Sequence, residues 1–170
     1  DQYLGEIARV AAVYAFQEKD LPSANKYVDI AMKDPEAKKD ALGLKLYLMQ
    51  QDLKTKEDSL SYVEKLKTLY ADDSNNEQIF ANLAAMYGSL GMKNEQAKMI
   101  DARLAANSGD FMALAMRGQE NMNAGNDDAA INDFKKALET KKDDSLVLTY
   151  LGFTLNRKAA NLSLIHISEP

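Results

Sequence analysis

One pattern returns along this chain at an almost constant interval. A small residue is followed four positions later by a larger side chain, and three positions after that by another apolar one. The triplets are Ala24/Val28/Ala31, Ser59/Val63/Leu66, Ala97/Asp101/Leu104 and Ala130/Phe134/Ala137, with Asp101 the polar exception. Their first members lie 35, 38 and 33 residues apart. Steps of four and three keep all three residues on one face of a helix. A period of about 34 residues belongs to stacked helix-turn-helix units, each leaving an apolar face for the next to cover. The pattern therefore predicts an all-α fold, with each triplet on the second helix of a pair.

Composition agrees with long helices. Three prolines and eight singly placed glycines in 170 residues leave too little turn punctuation for an all-β chain. Apolar residues at 46% are enough to build a core. The net charge of −5 is spread without blocks, and no basic stripe exists to displace counterions from phosphates, so nucleic acid is not an expected partner. No cysteine is present, which excludes disulfides and thiolate chemistry and leaves cytoplasm and bacterial periplasm both open. The most apolar stretch, Ile7 to Phe16, contains Arg9 and is shorter than the roughly 20 residues a span requires, so no membrane insertion is expected. The chain starts at Asp1, and it reads as a processed chain or a piece cut from something larger.

Residues 111–144 resemble a tetratricopeptide repeat without a gap: Leu114, Gly118, Gly125, Ala130, Phe134 and Ala137 fall on its large, small, turn-glycine, small, aromatic and small positions. Residues 145–158 repeat its first helix through Leu148, Leu151, Gly152 and Leu155. Residues 77–110 are similar through Phe80, Leu83, Ala84, Tyr87 and Ala97, with Asp101 on a normally aromatic position that would loosen or rotate the pair. Residues 5–38 follow through Ala8, Ala11, Ala12, Ala24, Val28 and Ala31; residues 40–73 are carried mainly by Ser59, Val63 and Leu66. The resemblance implies a right-handed α-solenoid of antiparallel helix hairpins, about four repeats plus one extra helix, over residues 1–161. Small residues at the crossings let two helices approach closely.

Punctuation divides the chain in the same way. Asp34 before Pro35, the Ser74/Glu77 pair as a capping box, and Asp110, Asn126 and Asp144 all fit helix starts, while Pro22 fits a first turn. Residues 162–170 depart from the pattern: they alternate apolar and polar in a β-like manner and resemble read-through of cloning sequence. A native tail covering the last helix is the structural alternative.

Chemistry is hard to place. His166 is the only histidine and lies in that tail, so no histidine triad or metal site can be assembled, and no cofactor is expected. The pairs Asp72/Asp73, Asp127/Asp128 and Asp143/Asp144 fit helix starts, where carboxylates offset the positive end of the dipole. No segment has the spacing of a calcium loop or a phosphate loop. No enzyme is expected.

The resemblance directs attention to the concave face of the first helices, where that family holds an extended peptide or a partner helix. Matching positions carry Arg9, Val13 and Phe16; Lys45, Leu48 and Gln51; Asn82 with Ala85; Met112, Met116, Gln119, Met122 and Asn123; and Tyr150, Phe153 and Arg157. Val13 replaces the asparagine of the family's carboxylate clamp, which speaks against that mode. A methionine-rich groove adapts to varied partners, although Met112, Met116 and Met122 can equally be ordinary packing. The expectation is a protein-interaction module that takes a peptide or a partner protein. The alternatives are a spacer or oligomerisation segment, pairing through the apolar last helix as a homodimer, and the helical appendage of an enzyme.

Overall fold

A computed structural model describes residues 3–51 and 53–168, with side chains through Asn161. Among the described residues the chain is all-helical. Its helices are α1 (Leu4–Gln17), α2 (Leu21–Ala31), α3 (Pro35–Gln51), α4 (Lys56–Asp72), α5 (Glu77–Ser89), α6 (Lys93–Ala106), α7 (Phe111–Asn123), α8 (Asp127–Thr140) and α9 (Ser145–Ser168). They form four hairpins and one further helix, the number the sequence period requires. By its contacts the chain divides within α5 into two compact units, residues 1–83 and 84–170.

In the first unit α1 packs on α2, and α3 packs on both. The centre is made of small side chains: Ala8, Ala12, Ala15, Ala24, Ala31, Ala37 and Ala41 are buried together with Val28 and Leu48. Alanine at the crossings allows close approach of the helices, and Phe16, Tyr27, Ile30, Met32 and Leu44 fill the flanks. In the second unit α6 packs on α7, α7 on α8 and α8 on α9. Here the close approach is made by Gly118: a Cβ at that position would lie 2.6 Å from Phe134 Cε1. The ring of Phe134 is fully buried and packs against Tyr150 of α9, with centroids 5.8 Å apart.

Three hairpins turn through the same backbone geometry. A left-handed residue follows the first helix: Lys19 (φ 63°), Gly91 (φ 70°) and Gly125 (φ 81°). The next amide then donates back five residues: Asp20 to Ala15, Met92 to Tyr87 and Asn126 to Asn121, at 2.8–2.9 Å. This is the Schellman closure, which satisfies the last carbonyls of a helix. The α3–α4 link is built differently. Thr55 and Asp58 form a reciprocal capping box at the start of α4.

Helix starts agree with the sequence in part. Asp34 accepts from the amides of Glu36 and Ala37, Asp110 from Ala113, and Asp144 from Val147. Pro22 lies in the first turn of α2, capped by Asp20. The start of α5 is capped by Asn76, whose side-chain oxygen accepts from the amides of Gln78 and Ile79. Asn126 occupies the cap position of α8 without a side-chain cap bond. Asp72 and Asp73 lie at the end of α4, not at a helix start. The aspartates sit there because the apolar face of α4 continues to Leu69 and Tyr70, so packing sets where the helix ends.

The last helix also differs from expectation. It continues to Ser168, beyond the 158 limit of the half repeat and through the segment read as β-like. No proline or glycine intervenes between Gly152 and Pro170, and isoleucines cost a helix only a few tenths of a kcal/mol each. His166 and the side chains that could cover α9 lie outside the residues whose side chains are described.

Candidate functional site

The residues expected to line a groove sort into three groups. Leu48 and Met122 are closed into the interior, at 2% and 8% exposure, and present nothing to a ligand. Packing claimed them because a first helix buries one face on its own hairpin mate and a second face on the preceding hairpin.

A second group is engaged with neighbouring side chains. Arg9 reaches Glu6 on its own helix; that hydrogen bond pulls the Glu6 carboxyl below its ordinary range. Phe16 is half-buried and meets the edge of Tyr47, with centroids 5.3 Å apart. Lys45 pairs with Asp29 of α2. Asn82 Oδ1 receives hydrogen bonds from Gln50 Nε2 and, at 3.3 Å, from the Tyr62 hydroxyl. Burial raises the pKa of that phenol. Gln119 Nε2 donates to Tyr150 Oη at 3.1 Å, tying α7 to α9. Arg157 Nε donates to Asp127 Oδ1 at 3.0 Å, and Arg157 Nη2 donates to the Met122 carbonyl oxygen at 2.7 Å. Arg157 therefore clamps α9 to the start of α8 and its charge is met within the chain. Lys158 makes a parallel pair with Asp128. The carboxylates of Asp127 and Asp128 stand in the first turn of α8, as expected, and also take a cation each.

A third group faces outward. Val13, Gln51, Asn123 and Phe153 are exposed, while Met112 and Met116 are half-buried. Phe153 is 56% exposed with the Arg157 guanidinium 5.6 Å from its ring centre. In the second unit, then, α7 and α9 bring together Gln119, Tyr150, Phe153 and Arg157: an uncovered aromatic ring beside a fixed amide, hydroxyl and guanidinium. In the first unit the expected residues are not gathered in the same way, since Phe16, Lys45 and Asn82 each serve separate internal contacts.

Asp101 does not stand in a gap left by the aromatic residue of the motif. Its carboxylate faces Arg117 of α7 at 3.9 Å, and Arg117 makes a two-pronged bond to the buried Asp133 of α8 at 2.7 and 3.0 Å. Asn121 adds a third hydrogen bond to Asp133 at 3.2 Å. The hydrogen bonds to Asp133 hold Arg117 above its ordinary pKa. Sequence reasoning missed this network; the signals were Asp101 on a normally aromatic position, which the structure leaves exposed, and Asp133 beside Phe134, which it buries.

Among the described residues no group of histidine, cysteine or carboxylate side chains could hold a metal ion, and no helix is long and apolar enough to cross a membrane.

With four hairpins of this build in view, comparison with solved structures is decisive for the fold. A crystal structure of MamA protein superposes with a TM-score of 0.62 at 14% identity, covering 98% of this chain and 88% of that one. A tetratricopeptide repeat protein from Parabacteroides merdae gives a TM-score of 0.62 at 19% identity, covering 91% of this chain and 61% of that one. The chain has a tetratricopeptide-type fold. A structure of MamA AMB-1 superposes with a TM-score of 0.53 at 18% identity, over 94% of this chain and 85% of that one. The tetratricopeptide fold is thus shared at identities too low to carry function across. This chain spans about three fifths of the Parabacteroides protein. No family model matches the sequence, and no curated protein is similar to it.

Proposed function

We propose that this chain is a protein-interaction module that holds a peptide or partner protein against the first helices of its second unit. The observation that supports this most is Phe153. Phe153 is 56% exposed beside polar groups that are already held in place, and aromatic anchors ringed by polar groups dominate binding energy at interfaces. Beside it, Gln119 and Tyr150 already hold each other in one orientation, so little side-chain entropy is lost when a ligand docks. Met112 and Met116 on α7 offer flexible apolar surface next to it. Arg157 contributes an edge of the patch rather than a free charge, because Asp127 has taken its guanidinium.

The test compares the parent chain with a Phe153→Glu/Met116→Glu variant of unchanged circular dichroism, each used as bait in a bacterial lysate. Proteins retained by the parent and lost by the variant support the reading. Identical retention by both, or none by either, overturns it.

A second reading has its own observation. Leu146, Leu148 and Leu155 of α9 are 57%, 46% and 44% exposed, and Ile7, Val10 and Tyr14 of α1 are 63%, 55% and 65% exposed. Uncovered apolar residues at helical spacing favour an oligomerisation or spacer segment. Sedimentation separates the two readings.

A further inference from the structure

Away from the first-helix patch of the second unit, the first unit carries a trough between α3 and α4 that none of the contacts above explains. It has two adjoining chambers. One, about 170 Å³, is lined by Leu48, Met49, Leu53 and Tyr62 with Asn25, Ser61 and Asp58 at its edges. The other, about 290 Å³, is bounded by Met49, Leu69 and Thr68. Lys45, Met49 and Lys65 line both chambers and therefore form the saddle between them.

The polar groups of the smaller chamber are largely satisfied from within. Asn25 donates to the Leu21 carbonyl at 3.1 Å, and Asp58 accepts from the amides of Thr55 and Lys54 at 2.8 and 3.1 Å. Tyr62 bonds to Gln50 and Asn82. In the larger chamber the hydroxyl of Thr68 donates to the Glu64 carbonyl at 3.1 Å. The apolar surface left for a ligand comes from the half-buried Met49 and Leu53 in the smaller chamber, which is otherwise mainly polar with Leu48 and Tyr62 buried beneath it, and from Met49 and Leu69 in the larger. The saddle differs. Lys65 is exposed and forms no ion pair among the described residues, and Lys45 pairs only with Asp29, itself 56% exposed. The larger chamber has two lysines and no carboxylate in its lining.

We infer that this trough binds a segment of a partner polypeptide in which a carboxylate side chain lies between two apolar ones, the acid at the Lys45–Lys65 saddle and an apolar side chain in each chamber. The volumes fit side chains of leucine or phenylalanine size and fall short of a drug-sized ligand. In an extended segment, alternate residues point the same way about 6.6 Å apart, so the motif is apolar-x-acid-x-apolar. Lysine supplies a point charge on a flexible stem, which tolerates either aspartate or glutamate. The saddle carries the charge that an acidic segment lacks, on a chain whose own net charge is −5. This site is separate from the Phe153 patch and does not depend on it.

The probe is a fluorescein-labelled peptide Gly-Leu-Ser-Glu-Ser-Phe-Gly, followed by anisotropy against the whole chain. Controls replace its Glu by Lys, or its Leu and Phe by Ser. The inference expects saturable binding of the first peptide, weakened by salt, and loss with either control. Lys65→Glu, at an exposed position that leaves the fold intact, should weaken binding about tenfold, while Lys65→Arg should retain it and Phe153→Glu should leave it unchanged. Absence of binding by the parent chain overturns the inference, as does equal binding by Lys65→Glu. Binding of decanoate by the parent chain where no peptide binds would also overturn it, assigning the trough to a free carboxylate amphiphile.

Discussion

At the scale of single residues, three positions show the sequence and the fold in tension. Lys19 holds the left-handed conformation that Gly91 and Gly125 hold in the equivalent turns. An L-residue with a side chain costs about 1 kcal/mol there, so Lys19→Gly should raise stability by up to that amount in urea denaturation, against the usual cost of added backbone freedom. Gly118 faces the opposite constraint. A methyl group 2.6–2.7 Å from two carbons of the Phe134 ring cannot be fitted without moving a fully buried side chain. Gly118→Ala should therefore destabilise by about 1–3 kcal/mol, even though alanine is the better helix former. Glu120 is the third. Burial, then the nearby charge of Asp101, raise its pKa, and Lys93 only partly opposes them. A carboxyl whose folded pKa lies above its unfolded value contributes most below the unfolded pKa, and that contribution is lost as pH rises through the folded one. Glu120→Gln should accordingly raise the melting temperature at neutral pH, with the gain shrinking as pH falls through the raised folded pKa and gone once pH is below the ordinary glutamate value. A gain that stays constant with pH would show that the charge is not the cause.

Elements were legible in the sequence to the extent that their ends are set locally. The 34-residue period followed the hairpins where the triplets are the helix crossings: Ala24, Val28, Ala31, Ala130, Phe134 and Ala137 are all fully buried, whereas on α6 Ala97 and Asp101 are exposed and Met99, Ile100 and Leu104 are buried instead. Asp34, Asp110 and Asp144 cap as their sequence context implied, since a cap needs only its own next turn. What failed was set by packing at longer range. Asn76 caps α5 where Ser74 was expected, because the helix starts where Ile79 and Phe80 can both be buried. The α4 capping box went unread since Thr55-x-x-Asp58 uses an aspartate in place of the usual Glu or Gln. Thr55→Ala removes its hydroxyl acceptor and should cost about 1 kcal/mol in chemical denaturation. Asp58→Ala should also destabilise, and the loss should disappear in acid: hydrogen bonds from Thr55 lower the Asp58 pKa, so its stabilisation is present above the unfolded pKa and fades as pH falls through the folded one. The candidate site was legible only in outline. Sequence spacing places Phe153 and Tyr150 on one face of α9, but which of the named side chains are left uncovered depends on neighbours 16 to 35 residues away, as with Lys45 and Asp29 or Arg157 and Met122.

Across the whole molecule, the repeat supplies its own internal standard for what a first helix should bury. The third residue of each repeat is apolar: Ile7, Leu42, Ile79, Ala113 and Val147. Leu42, Ala113 and Val147 are 0–3% exposed, on helices that each pack against the second helix of the hairpin before them. Ile7, on the first hairpin, is 63% exposed, and Tyr14 is 65% exposed where its counterpart Thr154 on α9 is fully buried. The face of α1 thus has the chemistry of an interface without an occupant, and exposed α9 leucines repeat the situation at the other end of the chain. Charges placed on α1 should be nearly silent for folding: Ile7→Glu/Tyr14→Glu should change stability by about 0.5 kcal/mol or less, whereas Val147→Glu should cost several times that by burying an unpaired carboxylate. Self-association reads out the oligomerisation alternative. If apolar ends bring copies together, sedimentation equilibrium of the parent chain should show a concentration-dependent dimer that Leu148→Asp/Leu155→Asp or Ile7→Glu/Tyr14→Glu abolishes, and the pair that abolishes it identifies the end used. A parent chain monomeric at every concentration sinks that alternative and leaves the Phe153 patch and the lysine trough as the surfaces on which a partner must be sought.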